Sequence, residues 1–333
     1  MKSTHFPLRS LTLIALSATL TFFLGLLPVL HAATLCVNPG GTGDCYSSIQ
    51  SAVDAARSGD TIHVATGIYS EVVSIDKSLT LHANGAANIQ GCFSITADNV
   101  SVDGFSFNGG DLCPGAGERG AIYMVADTDG HTITGNALNG PGTTQVYRGI
   151  LFGHNVRHVT VSGNHVNGWL SGIYINPSSD IVIEGNAFYG NYVGIGSDTL
   201  SNVSILGNTF ADNESEGWGA SSVGANVEAH GNHFNGNNGT AVAHYSGQPI
   251  DATDNWWGHI SGPYHPITNP TGQGDEIGDN VLYDPWTKIP LWDIPSSIVG
   301  NEYRHSSDLA NCLFLLLVPM GVLLVWKGLA RGR

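Results

Sequence analysis

The most regular feature of the sequence is a short alternation of apolar and polar residues that recurs between residues 158 and 258. Each copy has two apolar residues two positions apart, then a Gly-Asn pair, then another apolar residue two positions after the Asn. The period is 22, 22, 24 and 23 residues in successive copies. Such a period, with one short strand per copy, is typical of a solenoid. The pairs are Gly163-Asn164, Gly185-Asn186, Gly207-Asn208 and Gly231-Asn232, and Asp254-Asn255 closes the series.

The alternation predicts which side chains face the interior. Side chains two positions apart lie on one face of a strand, so pairs such as Val159/Val161 and Ile181/Ile183 are expected to point inward. A second strand that begins with Gly also recurs, as at Gly172-Ile173. Coils of this build predict an all-β fold, a parallel β-helix.

The recurring asparagines are expected to form a ladder inside this solenoid. If coils stack about 4.8 Å apart, equivalent side chains lie one above another. Each amide then bonds to its copies, which avoids the free-energy cost of burying it alone. The predicted ladder contains Asn164, Asn186, Asn208, Asn232 and Asn255.

Two segments flank the repeats and are expected to close the ends of the β-helix domain, residues 34–286. Residues 47–58 are predicted to form a helix, with Ser47 and Gln50 as a capping box and an apolar face that includes Ile49 and Val53. This helix would cover the first coil, whose apolar interior would otherwise meet water. Residues 255–286, where the repeat decays, would close the other end.

These coils resemble the right-handed parallel β-helix superfamily of pectate-lyase-like proteins, which includes periplasmic copper-processing and surface β-helix proteins. The segment Cys45–Glu71 is similar to the opening of that family, and Asn255–Trp286 is similar to its closing segment. The resemblance covers about residues 35–286 and implies the fold. It implies no single activity, because lyases, hydrolases, epimerases and non-enzymes share the scaffold.

The charge of the chain argues against nucleic acid as a partner. The 333 residues carry a formal net charge of −15. Five of the 12 basic residues lie outside residues 33–308, whereas all 27 acidic residues lie within them, so this part carries −20. Nucleic acid and anionic membrane surfaces would repel such a domain.

Both ends of the chain carry apolar segments. Residues 1–33 are predicted to be a signal peptide cut after Ala32 or Ala33, with an uncleaved anchor as the alternative. Residues 309–326 are predicted to form a transmembrane helix, after a linker at 287–308 and before a basic cytoplasmic tail at 327–333. The alternative is a buried C-terminal helix. We expect an exported, single-pass membrane protein with its β-helix outside.

The cysteines fit an oxidising compartment. Cys36 and Cys45 bracket a short loop, and Cys92 and Cys113 bracket one coil. Both pairs are expected to form disulfides in an exported protein, and four free thiols are the alternative. Cys312 has no evident partner.

No catalytic residue, metal ligand or cofactor is expected. The acidic residues form two groups, and neither has the accompanying Lys or Arg motif of the lyase-like members. A turn or loop role is the simpler interpretation for both groups, and calcium binding stays open. The two groups are Asp127 with Asp129, and Asp275, Glu276 and Asp279.

A glycan site is the best remaining hypothesis for a binding surface. Arg119 and Arg148 each precede a Gly of the second strand and would stack as a basic spot. Beside them an aromatic file would suit stacking on sugar rings, while Arg would hold a uronate or sulfate. The alternative is that the rings cover apolar edges and the arginines pair with nearby acids. The file contains Tyr147, Trp169, Tyr192 and Trp218.

We therefore expect a membrane-tethered extracellular β-helix protein that binds a polysaccharide or cell-surface glycan, or acts as a surface module, without catalysis. The alternative function is a polysaccharide lyase or hydrolase acting on an acidic polysaccharide at the two arginines. A copper-processing role is weaker, because the chain has only three Met residues and no Met/His motif.

Overall fold

A computed structural model describes residues 32–109, 113–114 and 119–290, which form one short helix and 27 strands. The helix is α1 (Ile49–Ala55). The strands are β1 (Thr34–Val37), β2 (Thr61–Tyr69), β3 (Val72–Ile75), β4 (Thr80–Ile89), β5 (Cys92–Ile95), β6 (Ser101–Asp103), β7 (Ser106–Asn108), β8 (Cys113–Pro114), β9 (Arg119–Met124), β10 (Thr132–Thr134), β11 (Ala137–Asn139), β12 (Tyr147–Phe152), β13 (Arg157–Ser162), β14 (His165–Asn167), β15 (Ser171–Ile175), β16 (Ser178–Glu184), β17 (Ala187–Tyr189), β18 (Val193–Leu206), β19 (Thr209–Ala211), β20 (Trp218–Val223), β21 (Val227–His230), β22 (His233–Asn235), β23 (Thr240–His244), β24 (Ile250–Asp251), β25 (Pro263–Tyr264), β26 (Gly274–Ile277) and β27 (Val281–Leu282).

The strands line up on three faces of a solenoid, and their pairings are parallel except for β8 with β9 in the described part of the chain. Face A contains β1, β2, β4, β6, β10, β13, β16, the end of β18, β21, β24 and β27. Face B contains β3, β5, β9, β12, β15, the start of β18, β20, β23 and β26. Face C contains the end of β4, β7, β11, β14, β17, β19 and β22. The predicted parallel β-helix is confirmed.

The register brings like side chains together in the core. Val159 pairs with Ile181, which pairs with Val203 in the next coil, and all three are buried. The rings of Phe188 and Phe210 stack with their centroids 5.1 Å apart, and Phe210 stacks on Phe234 at 4.9 Å. Residues at equivalent positions of successive repeats are therefore neighbours in adjacent coils.

The predicted asparagine ladder is present and fully buried. The side-chain amide of Asn164 donates to Oδ1 of Asn186 at 2.9 Å, and the same bond joins each later pair at 3.0–3.1 Å. The ladder ends at Asn255 and begins one coil earlier than predicted, because Asn136 donates to Asn164 at 3.0 Å.

A second ladder, which the sequence reasoning missed, runs parallel to the first. Its amides belong to Asn191, Asn213 and Asn237, with Nδ2 to Oδ1 distances of 3.2 and 2.7 Å. Asp275 ends it by accepting from Nδ2 of Asn237 at 2.7 Å. The available signal was a second Asn that follows three of the first-ladder asparagines, Asn186, Asn208 and Asn232, by five residues.

The first coil is covered by α1, which is shorter than the predicted helix of residues 47–58. Its N-cap is Ser48 and not Ser47, since the Ser48 hydroxyl accepts from the Ser51 amide at 3.1 Å. The carboxylate of Glu71 accepts from the amides of Ile49 and Gln50 at 2.9 and 3.0 Å. These bonds satisfy amides that the first helical turn leaves without an intrahelical partner.

A histidine side chain also lies in the apolar core of the solenoid. His131 precedes Thr132, which pairs with Thr160, so its imidazole takes the inward position that Val159 occupies in the next coil. The side chain is 1% exposed. Burial lowers the pKa of His131 from 6.5 to about 4, against the opposing effect of Asp98 and Asp129.

Both predicted disulfides, Cys36–Cys45 and Cys92–Cys113, are formed. The predicted transmembrane helix at 309–326, the basic tail and Cys312 lie outside the described residues, as do the signal peptide up to residue 31 and the linker from residue 291. Over the described ranges, the chain contains no helix long and apolar enough to cross a membrane.

Candidate functional site

Closely packed glycines determine which side chains of face B point outward. A Cβ added to Gly149 would lie 2.5 Å from the carbonyl oxygen of Gly172, and one added to Gly172 would lie 2.7 Å from that of Gly194. Only Gly allows neighbouring coils to approach this closely, so no side chain fits at these positions. The residue before each of these glycines, such as Arg148, lies on the outer side of the face.

The predicted basic spot is not formed. The register pairs Arg119 with Tyr147 and Gly120 with Arg148, so the two arginines occupy different positions along their strands. Such a one-residue offset is enough to separate two side chains on a sheet. Arg119 is exposed, whereas Arg148 is 6% exposed and its guanidinium carbon lies 4.7 Å from the ring centroid of Tyr174.

The predicted aromatic file is also wrong in two of its four members. Trp169 and Trp218 are 0% exposed. Trp218 pairs with Ile195 in the core register, and Nε1 of Trp169 donates to the carbonyl of Leu138 at 3.0 Å. Tyr147 is half-buried against the core, and Tyr192 is exposed. Large apolar rings at these two tryptophan positions are buried by the coil itself, so they offer no face to a ligand.

A different set of side chains comes together on face B. The hydroxyl of Tyr174, whose ring packs against the Arg148 guanidinium, donates to Oδ1 of Asp198 at 3.1 Å. Asp198 is half-buried and lies two residues beyond Gly196 on the same strand. Arg148, Tyr174 and Asp198 thus form a connected row of cation, ring and carboxylate.

A second tyrosine and carboxylate meet in the following coils. Tyr245 is 73% exposed, and its hydroxyl donates to Oε1 of Glu216 at 2.8 Å. This hydrogen bond and the charge of Glu216 raise the pKa of Tyr245, and the phenol of Tyr192 adds to the shift. The backbone N–H of Ser215 donates to the carbonyl of Tyr192 at 2.8 Å, so Tyr192 lies in the coil adjacent to Glu216.

Two glycines make room on the sheet for the side chains of Tyr174 and Glu216. Gly196 pairs with Gly219 of the next coil, so neither position carries a side chain. The ring of Tyr174 lies 3.0 Å from the place of a Cβ on Gly196, and the Glu216 carboxylate lies over Gly219. We call the surface formed by Tyr174, Tyr192, Asp198, Glu216 and Tyr245 the tyrosine–carboxylate surface.

A loop borders this surface. The hydroxyl of Thr143 donates to Oε1 of Glu214 at 2.8 Å, although the residues are 71 positions apart in the sequence. The loop that follows β11 therefore crosses several coils on the outside. Val146 of this loop is 57% exposed.

The acidic groups considered for calcium have partners in the protein. Asp127 accepts from Asn155 at 2.7 Å, Asp129 lies 2.8 Å from Nδ1 of His158, and Asp275 ends the second ladder. Asp279 lies 3.2 Å from Nε2 of His265. In residues 32–109, 113–114 and 119–290, no group of three or more His, Cys, Asp or Glu side chains is placed to hold a metal ion.

The comparison with protein families places the chain among the β-helix proteins. The family model described as the right-handed β-helix region matches residues 84–256, more than half of the chain. The chain belongs to the right-handed β-helix family. The family description states that the helix is right-handed, and the structure shows that its strands are parallel.

One curated relative of this β-helix protein is a cell surface glycoprotein of Methanothermus fervidus. The two are 36% identical over 105 residues, which cover 29% of this chain and 16% of the relative. The chain therefore spans about a sixth of the length of that relative.

Solved structures with a similar fold include three polysaccharide-active enzymes. Pectate lyase Pel9A is 11% identical with a TM-score of 0.46, covering 78% of this chain and 80% of that one. The A-module of an Azotobacter vinelandii mannuronan C-5 epimerase is 13% identical with a TM-score of 0.41, covering 62% and 73%. A pectin methylesterase from Aspergillus niger is 14% identical with a TM-score of 0.36, covering 77% and 90%. At these identities the likeness concerns the fold alone.

Proposed function

We propose that this β-helix protein is an extracellular surface protein that binds a glycan on the tyrosine–carboxylate surface. The observation that carries the proposal is the exposure of Tyr192 and Tyr245, at 44% and 73%, beside the carboxylate of Glu216. Aromatic faces stack on the apolar faces of sugar rings, and carboxylates accept hydrogen bonds from sugar hydroxyls.

The coil geometry supports an extended ligand. Tyr192 and Tyr245 belong to different coils, which lie about 4.8 Å apart per step. Gly196 and Gly219 carry no side chains of their own, which lets the Tyr174 ring and the Glu216 carboxylate lie over the sheet between the coils. A polysaccharide chain can run along the solenoid and contact several coils, whereas a compact ligand would meet one or two.

Three observations support an extracellular location. The two disulfides are of the kind that persists in oxidising compartments. The Methanothermus fervidus relative is named a cell surface glycoprotein. The sequence has an apolar segment at each end, and in this proposal residues 1–33 direct export and residues 309–326 tether the chain to a membrane.

The proposal is tested by binding of the full-length chain, in detergent, to a glycan array. The double variant Tyr192→Ala/Tyr245→Ala should lose at least tenfold in affinity for any glycan that the parent binds. Tyr189→Ala is the matched control, because Tyr189 is 40% exposed but lies on face C. Equal binding by the parent and the double variant would refute the proposal.

A polysaccharide lyase or hydrolase is the second candidate, favoured by two carboxylates, Asp198 and Glu216, in adjacent coils beside the paired glycines. Glycosidases use a pair of carboxyl groups across one sugar. Incubation with polysaccharides, followed by assays for reducing ends and for unsaturated uronate absorbance, tests this. Product formation that disappears in Asp198→Asn would favour an enzyme, and no product from any substrate would leave binding as the function.

A further inference from the structure

The charge that the tyrosine–carboxylate surface presents to a ligand is negative. Asp198 and Glu216 are both half-buried and accessible, and the exposed Glu214 lies two residues before Glu216. The basic residue on this face, Arg148, is 6% exposed and is covered by the ring of Tyr174. A ligand anion therefore meets carboxylates and not the guanidinium.

The other arginine of this region is too far along the solenoid to change that charge. Arg119 pairs with Tyr147, and the register then passes through Leu170 to Tyr192, three coils further on. At about 4.8 Å per coil, this separation is about 14 Å. That exceeds the Debye length of about 8 Å at physiological ionic strength, so exposed charges at this distance are largely screened from each other.

The two carboxylates keep capacity to accept hydrogen bonds. An ionised carboxylate has about four acceptor positions on its two oxygens. Asp198 uses Oδ1 to accept from Tyr174 and from the Ser221 hydroxyl at 3.5 Å, and Glu216 uses Oε1 to accept from Tyr245. Hydroxyl and amine groups are the complementary donors, whereas a uronate carboxylate would bring a like charge to the same place.

We infer that the tyrosine–carboxylate surface selects a glycan that offers hydroxyl or amine donors and carries no carboxylate. This inference rests on the proposed glycan-binding function and deepens it by naming the ligand class. It replaces the expectation of an acidic polysaccharide, which depended on two stacked arginines that the register separates.

The test measures the affinity of the full-length chain for three oligosaccharides of matched length by titration calorimetry at low salt. The probes are cellohexaose, a chitosan hexamer and hexagalacturonate. Cellohexaose or the chitosan hexamer should bind at least tenfold more tightly than hexagalacturonate. The double variant Asp198→Asn/Glu216→Gln should reduce that ratio several-fold, because the repulsion of the uronate is removed.

Two controls separate selection at this surface from the general charge of the protein. Glu228→Gln/Asp251→Asn removes two carboxylates from face A, and should leave the ratio unchanged. Arg119→Gln should also leave it unchanged, since Arg119 lies outside the surface. Equal loss of discrimination in the face A variant would overturn the inference.

The outcomes distinguish the inference from the function on which it rests. If hexagalacturonate binds as tightly as the other probes, and Tyr192→Ala/Tyr245→Ala abolishes that binding, the glycan site stands and the selectivity is overturned. If none of the three probes binds, both the function and the selectivity are overturned. Preference for the carboxylate-free probes, lost in the tyrosine double variant, supports both.

Discussion

The side chain of Asn208 accepts two hydrogen bonds from Asn186, one from its Nδ2 at 3.0 Å and one from its backbone N–H at 2.9 Å. Nδ2 of Asn208 donates to the carbonyl of Ile183 at 2.8 Å. Each asparagine therefore links its own coil to the preceding one by both its donor and its acceptor. The ladder is thus part of the backbone hydrogen bonding of the solenoid, and not an addition to it.

Truncation of this ladder should destabilise the protein strongly. Asn208→Ala removes the acceptor of the buried Asn186 backbone N–H and the side-chain donor to the Ile183 carbonyl, whereas Nδ2 of Asn186 keeps the carbonyls of Val161 and Glu184. Each such group costs about 1–3 kcal/mol, so a loss of about 3 kcal/mol or more is expected. Urea unfolding followed by circular dichroism measures the shift in midpoint.

Asn139→Ala is the matched control for that variant. Asn139 also bonds to asparagines in the coils before and after it, both at 2.8 Å, but on the solvent side of face C. Water replaces those bonds, so less than about 1 kcal/mol should be lost. Equal losses in the two variants would contradict the role assigned to the buried ladder.

The buried imidazole of His131 should make stability depend on pH. Its folded pKa of about 4 lies below the usual 6.5, so the unfolded chain binds the extra proton between these values. Stability is unaffected above pH 6.5 and falls as the pH drops toward 4, by up to about 3 kcal/mol from this group. His131→Val introduces the residue type that Val159 provides at the equivalent position of the next coil. This variant should lose no stability from this group as the pH falls. Thermal unfolding of both proteins across that range checks it, and parallel pH profiles would contradict the assignment.

The Asp275→Asn variant should be more stable than the Asp275→Ala variant. Burial raises the pKa of Asp275, against the lowering effect of hydrogen bonds from Asn237 and Gly236. A raised folded pKa means that the group favours folding at low pH, and that this contribution is lost as the pH rises through the pKa. Asp275→Asn keeps an acceptor for the second ladder without the buried charge, whereas Asp275→Ala should lose about 1–3 kcal/mol.

The comparison of the two Asp275 variants is best made at two pH values. The parent should gain stability relative to Asp275→Asn as the pH is lowered from neutral toward the pKa of a carboxylic acid, because only the parent takes up the proton. A stability difference independent of pH would show that burial does not raise this pKa.

Replacement of Trp169 should lower the stability of the protein, because this side chain is buried and offers no surface to a ligand. Its side chain is 0% exposed, and its indole N–H bonds to the Leu138 carbonyl. Trp169→Ala opens a cavity and should cost about 3–5 kcal/mol. Thermal unfolding measures the loss. Wild-type stability combined with loss of glycan binding would contradict the burial described here.

Features that depend on the repeat itself were predictable from the sequence. The Asn164 to Asn255 ladder follows because equal spacing in a solenoid places equivalent residues in register. The apolar face of α1 and the disulfides followed from local pattern and from cysteine spacing. The second ladder carried the same kind of signal, in Asn191, Asn213 and Asn237.

Features that depend on the position of a residue within one coil were not predictable to the required precision. Arg119 and Arg148 seemed equivalent because each precedes a glycine, but the register pairs Arg148 with Gly120, so the two arginines are offset by one residue. The contact between Tyr245 and Glu216 joins different positions in two coils, through the length of both side chains. No period in the sequence encodes such a contact.

Radical footprinting of tyrosine side chains tests the proposed glycan site most directly. Tyr192 and Tyr245 of the full-length chain are oxidised with and without saturating oligosaccharide, and Tyr189 and Tyr264, which are 40% and 37% exposed, serve as internal references. Mass spectrometry should show a several-fold drop in oxidation at Tyr192 and Tyr245 with the references unchanged. Undiminished oxidation of these two residues under saturating ligand, or protection confined to Tyr189 and Tyr264, would contradict the account.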